Sequence, residues 1–138
     1  NKNLKINLIL RLHPQINKPN FIKKNLKLLK SEARIKISDS ILINDISSCK
    51  FVLYRSSSAV IDAVQQGLIP IFFHEKKASF QLDPLWQLNS KIIVKNFHEL
   101  CKILENKKHL NKKKHLEYIN FANNYYRPVN HKKFKDIF

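Results

Sequence analysis

One glycine in 138 residues excludes more than any single motif establishes. A P-loop and a G-x-G-x-x-G turn both need several glycines, so neither phosphate cradle can be built. Methionine is absent altogether. The chain opens at Asn1, whereas a complete primary translation product starts with methionine, so the expectation is a processed or trimmed fragment with a further N-terminal part. Cys49 and Cys101 are too few for a disulfide framework and show no metal-ligand spacing with the six histidines. Each lies in or beside an apolar pattern and reads as a small buried hydrophobe in a reducing compartment. No run approaches the roughly 18 apolar residues of a membrane span, and no signal-peptide pattern opens the chain.

Acidic residues are also scarce, 10 against 26 basic ones, for a net charge of +16. The excess is nearly all lysine and accompanies abundant Asn and Ile, the combination an AT-rich coding bias produces. A solvated lysine surface is therefore the first reading, and a basic face for an anionic partner the second. The lysines are scattered and lack an aromatic-interleaved motif, which disfavours a nucleic-acid-binding α/β module. The run "KKHLNKKKHLEY" reads either as a solvated helical face or as an anionic-membrane contact.

Apolar patterning is otherwise ample for one domain. "INLILRLHP" (Ile6–Pro14) predicts a buried strand ended by His-Pro, and "KPNFIKKNLKLLKSE" a helix with Asn20 as N-cap. "ARIKIS" (Ala33–Ser38) alternates as a short strand, and "DSILINDISSC" predicts a helix capped near Ser38 to Ser40. "KFVLYR" (Lys50–Arg55) and "IPIFF" (Ile69–Phe73) are strands around a helix that ends near Gly67. A long loop, "HEKKASFQLDPLWQLN", leads to the strand "KIIVK". "NFHELCKILEN" then carries Phe97, Leu100, Cys101 and Leu104 as one buried stripe behind the N-cap Asn96, and a last helix spans about 111–125. This alternation predicts an α/β domain over residues 1–126 and a basic tail over 127–138. The expected architecture is a three-layer, Rossmann-like parallel sheet with helices on both faces.

In such sheets ligands bind beyond the C-terminal strand ends. The segment "YRSSSAVIDAVQQGLIPIFF" puts Ser56, Ser57 and Ser58 at one of these ends, just ahead of a helix. A plain N-cap accounts for one serine, and an anion held by hydroxyls and first-turn N–H groups accounts for three. Gly67 fits a left-handed helix end and needs no ligand. His13 precedes Pro14 at another strand end, and Arg11 lies two residues before it. Arg55 offers a forked phosphate contact or a surface ion pair. With no G-x-S-x-G elbow, the serines do not read as hydrolase nucleophiles.

His13-Pro14, the Ser56–Ser58 run, Asp62-Ala63 and Gly67-x-x-Pro70, in that order, resemble the donor-binding C-terminal half of GT-B glycosyltransferases. The likeness is to bacterial enzymes of surface polysaccharide synthesis, including the sialyltransferase, polysialyltransferase and Kdo-transferase groups, and covers roughly residues 6–105. The resemblance implies that His13 and Ser56 to Ser58, with Arg11 and Arg55 nearby, hold the donor phosphate. It places Asp62 at the ribose, where many relatives carry the longer Glu. It implies a nucleotide-sugar donor, with a CMP-linked acidic sugar ahead of UDP- or CDP-linked ones, and a glycan acceptor. Neither cofactor nor metal is expected. The expected location is cytoplasmic, peripheral at the inner membrane face, with acceptor site and catalytic base in another domain. A catalytically inactive GT-B half serving as an interaction module is the alternative.

Overall fold

The computed structural model describes residues 6–31, 34–75, 82–106 and 112–125. The basic tail over 127–138 and part of the "KKHLNKKKHLEY" run lie outside them. The architecture is α/β, with two small parallel sheets and helices on both sides. The chain divides into two compact units, Asn1–Ser48 and Cys49–Phe138.

In the first unit, β1 (Leu8–Leu10) and β2 (Ile35–Ile37) pair in parallel with Leu8 opposite Ile35, joined through α1 (Lys18–Ser31). α2 (Leu42–Ser47) follows. α1 begins two residues earlier than its expected cap. Asn17 rather than Asn20 is the cap, its Oδ1 accepting the Asn20 N–H at 3.0 Å. Pro19 then falls in the first turn, where a missing N–H costs no helical bond. Nor is α2 capped by a serine hydroxyl: Ile41 sits at its N-cap with no side-chain bond. The Ser38 hydroxyl turns instead to Asp45.

The second unit holds β3 (Phe51–Tyr54), α3 (Ala59–Gln65), β4 (Ile69–Phe73), β5 (Ile92–Val94), α4 (Phe97–Glu105) and α5 (Lys112–Tyr125). Its sheet runs β3-β4-β5, all parallel. Central β4 is buried on both faces, as a continuous apolar run in a parallel sheet requires. Its side chains join Tyr54, Val60, Ile61, Val64, Leu85, Leu88, Tyr118 and Ala122 in one core.

β4 also carries a fully buried proline, Pro70, which a central strand ordinarily rejects because it cannot donate to the ladder. The register resolves the conflict. The Ile69 N–H bonds Lys50 on the β3 side and the His74 N–H bonds Val94 on the β5 side, so even-numbered residues of β4 face β5. Four residues before the His74–Val94 bond, the donor missing at Pro70 would have met the carbonyl of Ser90. That carbonyl instead accepts the Tyr118 hydroxyl at 2.8 Å, supplied from α5. The helix thus provides the hydrogen bond that the proline withholds.

α3 ends as expected at Gly67, with φ +89°. The Leu68 N–H bonds the Ala63 carbonyl and the Gly67 N–H bonds that of Val64, a Schellman motif closed by the buried Leu68. Asn96 caps α4, its Oδ1 accepting the Glu99 N–H at 2.9 Å while Glu99 accepts the Lys95 N–H at 2.7 Å, a variant capping box. The expected buried stripe of α4 is not fully buried. Phe97 is 74 % exposed, because the first helical residue has no preceding turn to lean on, and Leu100, Cys101 and Leu104 are half-buried. Both cysteines are free and half-buried rather than enclosed.

Tyr118→Phe should orphan the Ser90 carbonyl and cost about 1–3 kcal/mol in urea unfolding. In a Pro70→Ala background the new N–H can reach that carbonyl and the loss should shrink. Equal losses in both backgrounds would contradict this account of Pro70.

Candidate functional site

Parallel β3, β4 and β5 bring their C-terminal ends to one edge of the second unit. Arg55 and Ser56 to Ser58 leave β3 there, His74 and Glu75 leave β4, and Lys95 and Asn96 leave β5. All three serines are exposed, and none of their hydroxyls has a hydrogen-bond partner among the described residues. Ser58 occupies the N-cap position of α3 but makes no side-chain cap bond, since its backbone is already helical at φ −63° and ψ −20°. The turn closes through main chain alone: Val60 N–H to the Ser57 carbonyl and Ile61 N–H to that of Ser58. The expectation that one serine is used up in side-chain capping is therefore corrected, and all three hydroxyls stay uncommitted among the described residues.

Arg55 takes the ion-pair alternative. Its Nη1 lies 2.6 Å from Glu75 Oε2, with both side chains nearly half exposed. Such a pair is weakly held, and a competing anion can draw on the guanidinium. Asp62 stands half-buried one turn into α3, among the fully buried Val60, Ile61, Ala63 and Val64.

In the first unit, Arg11 and His13 follow β1. Arg11 bonds the Ser40 carbonyl at 2.8 Å and forms an ion pair with Asp45, which also accepts the Ser38 hydroxyl at 2.6 Å. Ser38 Oγ in turn accepts the Ser40 N–H at 3.1 Å. The Ser38 hydroxyl, and with it the Arg11 guanidinium, holds the Asp45 carboxyl below its usual range although burial works against this. Arg11 is thus a clasp between the β1 end and α2, which occupies the fork expected for phosphate. His13 is exposed. Its Nδ1 accepts the Gln15 N–H at 3.2 Å and its carbonyl accepts the Ile16 N–H at 2.8 Å. In the neutral ring this leaves the proton on Nε2, a donor directed away from the turn.

Two features escaped the sequence reading. The loop segment "LDPLW" (Leu82–Trp86) is a structural clasp: Asp83 accepts the Tyr54 hydroxyl and the Leu85 N–H, both at 2.9 Å, and pairs with Lys91 at 2.5 Å. Lys91 also reaches the Leu85 carbonyl at 2.9 Å and lies 6.0 Å from the Phe72 ring centre. Burial, and secondarily the Asp83 carboxylate, push the Tyr54 phenol far up. The Asp-Pro dipeptide signalled the turn, but its partners Tyr54 and Lys91 are too remote for a local signal. The second feature is His74, set edge-on to Phe72 at 6.2 Å, whose Nδ1 is buried without a hydrogen-bond partner among the described residues.

No group of metal-ligating side chains occurs among the described residues, and no helix there is long and apolar enough to cross a membrane. No protein-family model, curated protein or solved structure matches the chain.

The lowered Asp45 carboxyl stabilises the first unit above the ordinary carboxylate range, and this contribution disappears as pH falls through the folded-state value. Amide exchange at Leu8 and Ser38, whose N–H groups bond Arg34 and Leu10, should therefore lose protection between pH 6 and below about pH 4, relative to intrinsic rates. Asp45→Asn should lose about 1–3 kcal/mol of that protection at pH 6 and show little further acid dependence. An unchanged acid dependence in the variant would contradict the assignment.

Proposed function

We propose that this chain is the donor-binding half of a GT-B glycosyltransferase that moves a sugar from a nucleotide-activated donor to a surface glycan. In this reading the architecture is a Rossmann-like three-layer sheet. The observation that carries the proposal is the run of three exposed hydroxyls, without a partner among the described residues, where parallel β3 passes into α3. With one glycine in the chain, a glycine-rich phosphate loop is excluded, and hydroxyls at a strand end are the means left.

Glycosyl transfer needs the charge developing on the leaving phosphate to be stabilised. Preoriented donors achieve this without reorganising as the bond breaks. Ser56 to Ser58 supply three hydroxyl donors and Arg55 a cation only loosely engaged by Glu75. Asp62 is the proposed ribose contact. Arg11 is committed to Asp45 and Ser40, so its guanidinium is not offered as a phosphate contact. The reading requires no metal. Acceptor site and base belong to another domain, so the chain alone binds donor weakly and turns over little.

A CMP-linked acidic sugar is the favoured donor, ahead of UDP- and CDP-linked ones. Calorimetry with CMP, UDP and CDP should give saturable binding of at least one nucleotide. Ser57→Ala should weaken it by about 1–3 kcal/mol. No heat with any nucleotide at millimolar concentration would remove the proposal.

A further inference from the structure

His74 follows the central strand at the strand-end edge of the second unit, and neither of its ring nitrogens has a hydrogen-bond partner among the described residues. The residue is nevertheless well fixed. Its main-chain N–H donates to the Val94 carbonyl at 2.8 Å, and its ring meets Phe72 edge-on at 6.2 Å. Phe72 lies 5.4 Å from the Tyr54 ring, which Asp83 holds through the hydroxyl. Tyr54, Phe72 and His74 therefore form a row of rings in contact, with His74 at its end.

The two nitrogens differ in surroundings: Nδ1 is buried, whereas Nε2 is not enclosed and the residue as a whole is half-buried. A buried polar atom without a partner is rare in a folded protein and lowers its stability. Packing alone gives no reason for an imidazole here, since a phenylalanine ring would fill the place with no nitrogen left unsatisfied. A proton on the buried Nδ1 would have nothing to bond, so in the neutral ring it sits on Nε2. The outcome is an N–H donor on the open side, held in place by ring packing.

Register gives this donor neighbours on both sides. Tyr54 pairs with Phe72 and Phe73 with Val94, so counting onward sets Ser56 beside His74 on the β3 side and Lys95 beside it on the β5 side. Adjacent strands are about 4.8 Å apart. Lys95 is exposed and has no ion-pair partner among the described residues, while the next carboxylate along the chain, Glu75, is turned to Arg55. A hydroxyl, an imidazole N–H and an ammonium on three neighbouring strands suit an oxyanion. His74 belongs to no metal-ligating group among the described residues.

We propose that His74 is a direct contact for the phosphate of the nucleotide donor, its Nε2–H donating to a phosphate oxygen beside Ser56. This rests on the donor-binding reading and adds to it a histidine carried by the same unit as the serines. A donor fixed before the ligand arrives needs no reorganisation when charge develops on the phosphate.

The test is calorimetry of the 138-residue protein with CMP. His74→Ala and His74→Asn should each weaken binding about tenfold. His74→Gln, whose amide nitrogen reaches the place of Nε2, should stay within about threefold of the parent. His74→Phe should lose the same affinity as His74→Ala while its urea midpoint stays level or rises. Long-range proton–nitrogen spectra at about pH 8, above the ordinary histidine range, should show the Nε2–H tautomer for His74, and its ring signals should move with CMP. Unchanged affinity in His74→Ala, a glutamine variant as weak as the alanine one, a lowered midpoint with unchanged affinity in His74→Phe, or an Nδ1–H tautomer would overturn the inference. In each of those cases a loss of binding in Ser57→Ala leaves the donor reading standing, whereas a parent protein that binds no CMP removes both.

Discussion

The second unit depends on β4. Ile69 to Phe73 is the strand with neighbours on both sides, and its apolar residues supply the surface against which β3, α3, the 82–91 loop and α5 find their places. A buried proline at its second position would ordinarily forbid this role. It is permitted because the missing donor faces Ser90, one step before β5 pairing begins, and Tyr118 of α5 supplies that bond. One covalent restriction therefore couples sheet register to the docking of a helix that comes almost fifty residues later in the chain. Gln65 of α3 adds a second tie to α5, donating to the Ala122 carbonyl at 3.2 Å.

A fixed β4 also fixes the edge at which Arg55, the three serines, His74 and Glu75 leave the sheet. The Tyr54–Asp83–Lys91 clasp ties the 82–91 loop to the end of β3, its carboxylate accepting the Tyr54 hydroxyl and the Leu85 N–H and sharing a nearly dry ion pair with Lys91. Such pairs set geometry more than they add stability, since desolvation offsets much of their attraction. Rigid strands below and freely exposed hydroxyls above are the physical arrangement that suits a transient polar ligand. The donor-binding proposal rests on that contrast.

Local chemistry was legible in the sequence. Gly67 as a left-handed helix end, Asn96 as an N-cap, "IPIFF" as a strand and the last helix all follow from short-range rules and agree with the structure. Elements whose signal is a single residue drifted. The α1 cap is Asn17 because Pro19 favours the first turn, and the α4 stripe loses Phe97 to solvent at the helix's first residue. Interactions across distance were not legible. Arg11 carried the pattern of a phosphate ligand, yet its partner Asp45 lies 34 residues away on another element. Tyr118 and Ser90 gave no sign of their connection, because the need for it arises only once Pro70 is placed in the ladder. The serine run was legible as a place, whereas its freedom from capping follows from backbone angles that no composition rule specifies.

The central claim is that the β3–α3 junction receives a nucleotide's phosphate. Amide shift mapping of the isotope-labelled protein with CMP addresses it directly. The account predicts the largest shifts at Ser56, Ser57, Ser58 and Ala59. Shifts confined to the lysines of α1, or spread evenly over the basic surface and erased by moderate salt, would contradict it.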